Sequence, residues 1–254
     1  MKSPVFQDNS RVKTVQLDAL RMAYLEEGQG PVVIMVHGFP DCPKTWDHQS
    51  AALVAKGFRV IRPYLRGYPP TEIPSGGYYD KATLVRDIAE FIKKTCPGEA
   101  CYFVGQDWGA IIGYALLAAH PELVHRAVLM AVPHPGAVAK SLLNPRHVHR
   151  SFHWWFFQLA DLPEKALAND NMQFIDYLWD YWTIDGFDDP RHIQRVKDLL
   201  AQPGALTASL AYYRAMFDPD KADPALTDLR ERMNRPITVP TLALCGAQDM
   251  RAEL

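Results

Sequence analysis

Apolar positions along the chain change their period several times, and each change marks a new element. Residues 12–17 and 21–26 carry strand-like patterning. PVVIMVHG, residues 31–38, is a short run rich in β-branched side chains, suited to a strand buried on both faces. Residues 44–56 return to helical spacing, and FRVIRPYL at 58–65 returns to a strand. Over residues 81–94 the positions Leu84, Val85, Ile88, Phe91 and Ile92 draw one stripe, which predicts an amphipathic helix. ACYFVG then predicts a strand, DWGAIIGYALLAAHP a helix ended by Pro121, and VHRAVLMAV one more strand.

Strand and helix thus alternate from Pro31 to Val132, the signature of a doubly wound, mostly parallel α/β sheet with helices on both faces. From Pro133 to about Pro236 the pattern is helical, aromatic and interrupted by prolines, so this stretch is expected to be a helical insertion; PTLALCGAQD at 240–249 resumes the sheet. The expected division is a core over residues 1–133, a helical cap or lid over 134–236, and a resumed core over 237–254.

Composition narrows the class. With 254 residues, 48% of them hydrophobic and 22% charged, the chain can bury a sizeable core. Lysine plus arginine number 27 against 29 acidic residues, a net charge of -2 without long basic runs, so neither nucleic acid nor an anionic membrane is an expected partner. The opening MKSPVFQDNSRV lacks the apolar run of a secretory signal and no segment is long enough to span a membrane, which predicts a cytoplasmic protein. Cys42, Cys96, Cys101 and Cys245 show neither CxxC spacing nor scaffold density, so reduced thiols are expected, with no metal site.

The chemistry is concentrated in VGQDWGAIIG, residues 104–113. Gly105-Gln106-Asp107-Trp108-Gly109 falls between a predicted strand and a predicted helix, the context of a nucleophile elbow, with an aspartate in the nucleophile's place. Such a turn lifts the central side chain clear of the sheet at a helix N-terminus, where backbone N–H groups favour a negative charge. An N-cap aspartate on an ordinary loop would give the same local pattern. A carboxylate suits displacement at saturated carbon, forming an alkyl ester whose carbonyl water then attacks, and so points to an epoxide or an alkyl halide.

Three motifs in order, HGFP at 37–40, RGYPPT at 66–71 and GQDWGA at 105–110, resemble the α/β-hydrolase superfamily and, within it, the epoxide hydrolases; the resemblance covers nearly the whole chain. It implies an α/β-hydrolase fold with a helical cap, Asp107 as nucleophile, and an oxyanion hole from the Phe39 and Trp108 backbone N–H groups. His37 is expected to brace its loop. The resemblance further implies an epoxide and water as reactants, a vicinal diol as product and no cofactor. ASLAYYRAMF matches the family's second ring-opening site and makes Tyr213 a donor to the epoxide oxygen, with Tyr212 pointing elsewhere. RSFHWWFFQL resembles the stretch carrying the first donor, whose position falls on His153, and an imidazole N–H can donate there as a phenol does. Trp108, Trp154 and Phe39 are expected to line an apolar substrate pocket.

His153-Trp154 also resembles the halide-holding pair of haloacid dehalogenases, but WGAIIG after Asp107 lacks the arginines that bind a substrate carboxylate. Haloalkane dehalogenases share the Asp-Trp elbow and prefer asparagine where Phe39 stands. Asp249, at the end of LALCGAQD, matches the acid that orients a catalytic histidine. That histidine is expected after a further helix and strand. None of His120, His125, His134, His147, His149 or His192 has an equivalent place, so the chain is expected to continue past Leu254 in its parent gene. A ligand-binding homologue without turnover is the alternative of a different class.

Overall fold

The structure, a computed structural model, describes residues 12–184 and 189–249, apart from the side chains of residues 139–141. The opening residues 1–11 and the last five residues assigned to the resumed core, 250–254, lie outside the described residues.

Seven strands form one sheet: β1 (Val12–Gln16), β2 (Arg21–Glu27), β3 (Val32–Val36), β4 (Arg59–Pro63), β5 (Cys101–Gln106), β6 (Val124–Met130) and β7 (Thr241–Leu244). Their order is β1-β2-β4-β3-β5-β6-β7. β1 and β2 pair antiparallel, as do β2 and β4, while β4, β3, β5, β6 and β7 run parallel. β3 lies between β4 and β5 and all five of its residues are buried, which is why its sequence shows no polar alternation.

Helices α1 (Asp47–Ala55), α2 (Lys81–Thr95) and α3 (Trp108–Ala119) connect the strands. The expected helix at 44–56 begins instead with a 3-10 turn, Pro43–Trp46, before α1. In α2 the predicted stripe Leu84, Val85, Ile88, Phe91 and Ile92 is wholly buried. Asp80 caps that helix, accepting from the Ala82 N–H at 3.1 Å and from the Thr83 hydroxyl at 2.6 Å. A smaller cluster of Val33, Met35, Trp46 and Val60 packs separately from the main core.

Between β6 and β7 the described residues form helices joined by loops and 3-10 turns, without a strand: α4 (Pro135–Ser141), α5 (Pro145–Arg150), α6 (Phe152–Phe156), α7 (Leu162–Ala168), α8 (Gln173–Trp182), α9 (Pro190–Leu200), α10 (Ala205–Phe217) and α11 (Thr227–Arg232). This insertion is tied to the loops at the C-terminal ends of the strands. The Trp179 indole N–H donates to the Pro40 carbonyl at 3.1 Å, and the Tyr212 hydroxyl donates to the Arg66 carbonyl at 2.7 Å. His192 Nε2 and Asp41 Oδ1 lie 2.7 Å apart, both side chains buried. No described helix is long and apolar enough to cross a membrane.

Candidate active site

The elbow is held by close backbone contacts. Asp107 follows β5 with φ 53° and ψ -118°, a left-handed backbone that is costly for a residue with a side chain. Its N–H donates to the Met130 carbonyl at 3.2 Å, and α3 begins at the next residue. A Cβ on Gly105 would stand 2.3 Å from the Gly109 carbonyl oxygen, one on Gly109 2.2 Å from that of Val36, and one on Gly38 2.4 Å from Asp107 Oδ1. Only glycine permits this packing.

The N-cap alternative makes a prediction about the side chain, and the geometry departs from it. Asp107 makes no side-chain capping bond to its own helix. Its Oδ1 accepts instead from the Phe39 backbone N–H, 2.8 Å away in the loop after β3. One carboxylate oxygen thus occupies the place where a predicted oxyanion-hole donor can stabilise it.

His37 positions that loop. Its ring is fully buried, Nδ1 donates to the Gly38 carbonyl at 2.9 Å, and Nε2 accepts from the Leu65 N–H at 3.2 Å. Burial holds its pKa down at about 4, so the imidazole is neutral and its proton sits on Nδ1. The RGYPPT loop is fixed by a buried bidentate ion pair, with Arg66 Nε and Nη2 donating to Asp87 at 2.6 and 3.0 Å.

A cavity of about 100 Å³ opens against Asp107, walled by Phe39, Gln106, Ala131, His153, Trp182 and Asp249. Four predicted site residues from distant parts of the sequence, Phe39, Asp107, His153 and Asp249, therefore share one small space. Asp249 reaches it from the turn after β7, where its N–H donates to the Gly246 carbonyl at 3.0 Å. Trp182 and Gln106 were not anticipated from sequence. Gln106 precedes the nucleophile inside the elbow motif, and that adjacency was the available signal.

Tyr213 is not among the residues lining this cavity. It is buried behind it, its ring packed edge-on against Phe39, Trp108, His153 and Phe157 with centroids 5.1 to 5.6 Å apart. Tyr212 diverges as expected, toward Arg66. Trp108 and Trp154 line a second, larger cavity of about 460 Å³ with apolar neighbours such as Ile111, Val132 and Met216. The other aromatic residues of α6 divide between core and surface: Phe157, just past the helix, is fully buried, whereas Trp155 stacks on Phe217 and stays partly exposed.

Elsewhere, His134 caps α4 by accepting from the Gly136 N–H at 3.2 Å, which occupies the histidine lying nearest in sequence beyond a strand end. Asp41, Cys42 and His192 place three potential metal ligands within 4.8 Å of one another. Burial pushes the Cys42 thiol up to about 12, and His192 is already hydrogen-bonded to Asp41, so this donor set serves the packing of a loop against α9.

The sequence profile of the alpha/beta hydrolase fold matches residues 31–252. Epoxide hydrolase 2 of Caenorhabditis elegans is 32% identical over 215 residues, covering 81% of this chain and 60% of that protein. The AB hydrolase superfamily protein YfhM of Bacillus subtilis is 32% identical over 200 residues, 78% of this chain and 69% of that protein. An epoxide hydrolase structure from Vigna radiata superimposes with a TM-score of 0.75 at 26% identity, covering 94% of this chain and 80% of that one. The chain thus spans less than two thirds of the nematode relative's length. With the elbow, the seven-stranded sheet and this profile in agreement, the chain belongs to the α/β-hydrolase fold family and stands there beside proteins named as epoxide hydrolases.

Proposed function

We propose that the protein opens an epoxide through a covalent alkyl ester on Asp107, the first half of a hydrolysis that gives a vicinal diol. The observation that carries this reading is the hydrogen bond from the Phe39 N–H to Asp107 Oδ1. In this reading Oδ2 attacks a ring carbon while Oδ1, the future ester carbonyl oxygen, stays beside a donor. When water adds to the ester, charge develops on Oδ1, and the Phe39 N–H, joined by that of Trp108, stabilises it.

In the first step the Asp107 Oδ2–carbon bond forms as the ring C–O bond breaks, and the electron pair goes to the departing oxygen. His153, on the wall contributed by the helical insertion, donates to that oxygen, and Tyr213 supports it from behind through the aromatic cluster. Asp249 contributes the carboxylate of a base pair for the attacking water. In this reading residues 134–236 form a cap, and the larger cavity beside Trp108 and Trp154 takes the apolar remainder of the substrate.

Intact-protein mass spectrometry after exposure to 1,2-epoxypropane tests the proposal. The expected result is one added epoxide mass, mapped to Asp107 by peptide digestion and absent from the D107N variant. An unmodified protein, or labelling that persists in D107N, overturns it.

A further inference from the structure

Buried polar atoms without partners are rare in folded proteins, and each one asks for an explanation. Trp182 Nε1 and Gln106 Oε1 belong to residues lining the Asp107 cavity; both are sealed from solvent, and neither has a hydrogen-bond partner among the described residues. Leaving a buried donor unsatisfied is costly, so the end of α8 carries a penalty unless an acceptor reaches the indole.

Trp182 comes from the same side of the cavity as His153. It is the last residue of α8, its ring centroid 4.7 Å from that of His153 on α6. Tyr213, the donor expected from sequence, does not line the cavity, whereas Trp182 does. An indole is a donor only and too weak an acid to give up its proton, so it can stabilise a developing oxyanion without competing for the nucleophile's task.

We infer that the Trp182 N–H is a catalytic hydrogen-bond donor, pairing with His153 on the epoxide oxygen as the ring opens. The inference rests on the proposed function above. As the Asp107 Oδ2–carbon bond forms and the C–O bond breaks, the oxygen receives the electron pair and accepts from the Trp182 N–H. The proton that finally neutralises it comes from His153 or water. The indole is satisfied only when an oxygen lies in the cavity, so its contribution grows as charge develops, and its removal slows the chemical step in preference to weakening binding.

The test measures the rate of ester formation on Asp107 against the concentration of 1,2-epoxypropane in the full chain, by quenched mass spectrometry. W182F keeps a ring in the wall and removes the N–H. Its maximal alkylation rate is expected to fall about 10- to 100-fold, with little change in the half-saturating concentration. W182H restores a ring N–H and is expected to recover part of that loss. Ester formation in W182F at the unsubstituted rate overturns this inference alone. So does a loss carried by half-saturation, or a W182H variant no faster than W182F. Absence of the ester in the unsubstituted protein overturns the proposed function and this inference with it.

Discussion

Single residues at this site are set by contacts far from them in sequence. Gly38 is glycine because Asp107 stands where its Cβ would be, and Asp107 keeps its strained backbone because Gly105 and Gly109 let strand and helix close around it. His37 shows how a titratable group can serve a loop by staying neutral. The unfolded chain protonates this histidine below about pH 6.5, whereas the folded protein resists until about pH 4. Between those values the unfolded state binds more protons, so stability falls as pH drops through the window. The loss is on the order of 3 kcal/mol when complete, and urea unfolding across that range measures it. An H37N variant is expected to be less stable at neutral pH and to show a flatter dependence. Asp107 was legible because its signal is local: two glycines, a strand before and a helix after. Trp182 was not, because it is one of several aromatic residues in QFIDYLWDYW and no local pattern separates it from those exposed to solvent.

At the scale of elements, periodicity identified β1 to β6 and the helices α2 and α3 to within a residue or two, since burial of one face is written into spacing, whereas β7 stops at Leu244, short of the expected 249. Capping works at the same scale. Asp80 closes the first turn of α2 and also accepts from the Asp223 N–H at 3.1 Å, tying the helix start to the segment before α11. D80A is expected to destabilise the protein by about 1–2 kcal/mol, read as a lower denaturation midpoint with unchanged slope. The short helices of the insertion were less legible individually. Pro135, Pro145 and Pro190 each open a helix and Pro163 stands second in α7, so the prolines that broke the pattern in sequence mark starts in the fold.

The whole molecule depends on how the insertion is seated on the sheet. The His192–Asp41 contact joins α9 to the loop that also carries Phe39, across a separation of 151 residues. Removing the imidazole leaves a buried carboxylate without that partner. H192A is therefore expected to cost about 3 kcal/mol of stability. Because both side chains are buried, a double-mutant cycle with D41N is expected to show a coupling above about 0.5 kcal/mol; additivity would mean that the pair carries no shared energy. At the β7 end of the sheet order, Leu242 and Leu244 remain 55% and 44% exposed.

The amino-acid sequence by itself determined the class of fold, the alternation of elements and the identity of the residue at the elbow, because each depends on neighbours within a turn or a strand. The tertiary structure decided which side chains share the cavity. It brought Asp249 and His153 to Asp107, put Trp182 on the wall, packed Tyr213 behind it and paired His192 with Asp41. Those outcomes follow from how strands order themselves in the sheet and how helices pack over their ends, and such long-range packing leaves no periodic trace in the chain.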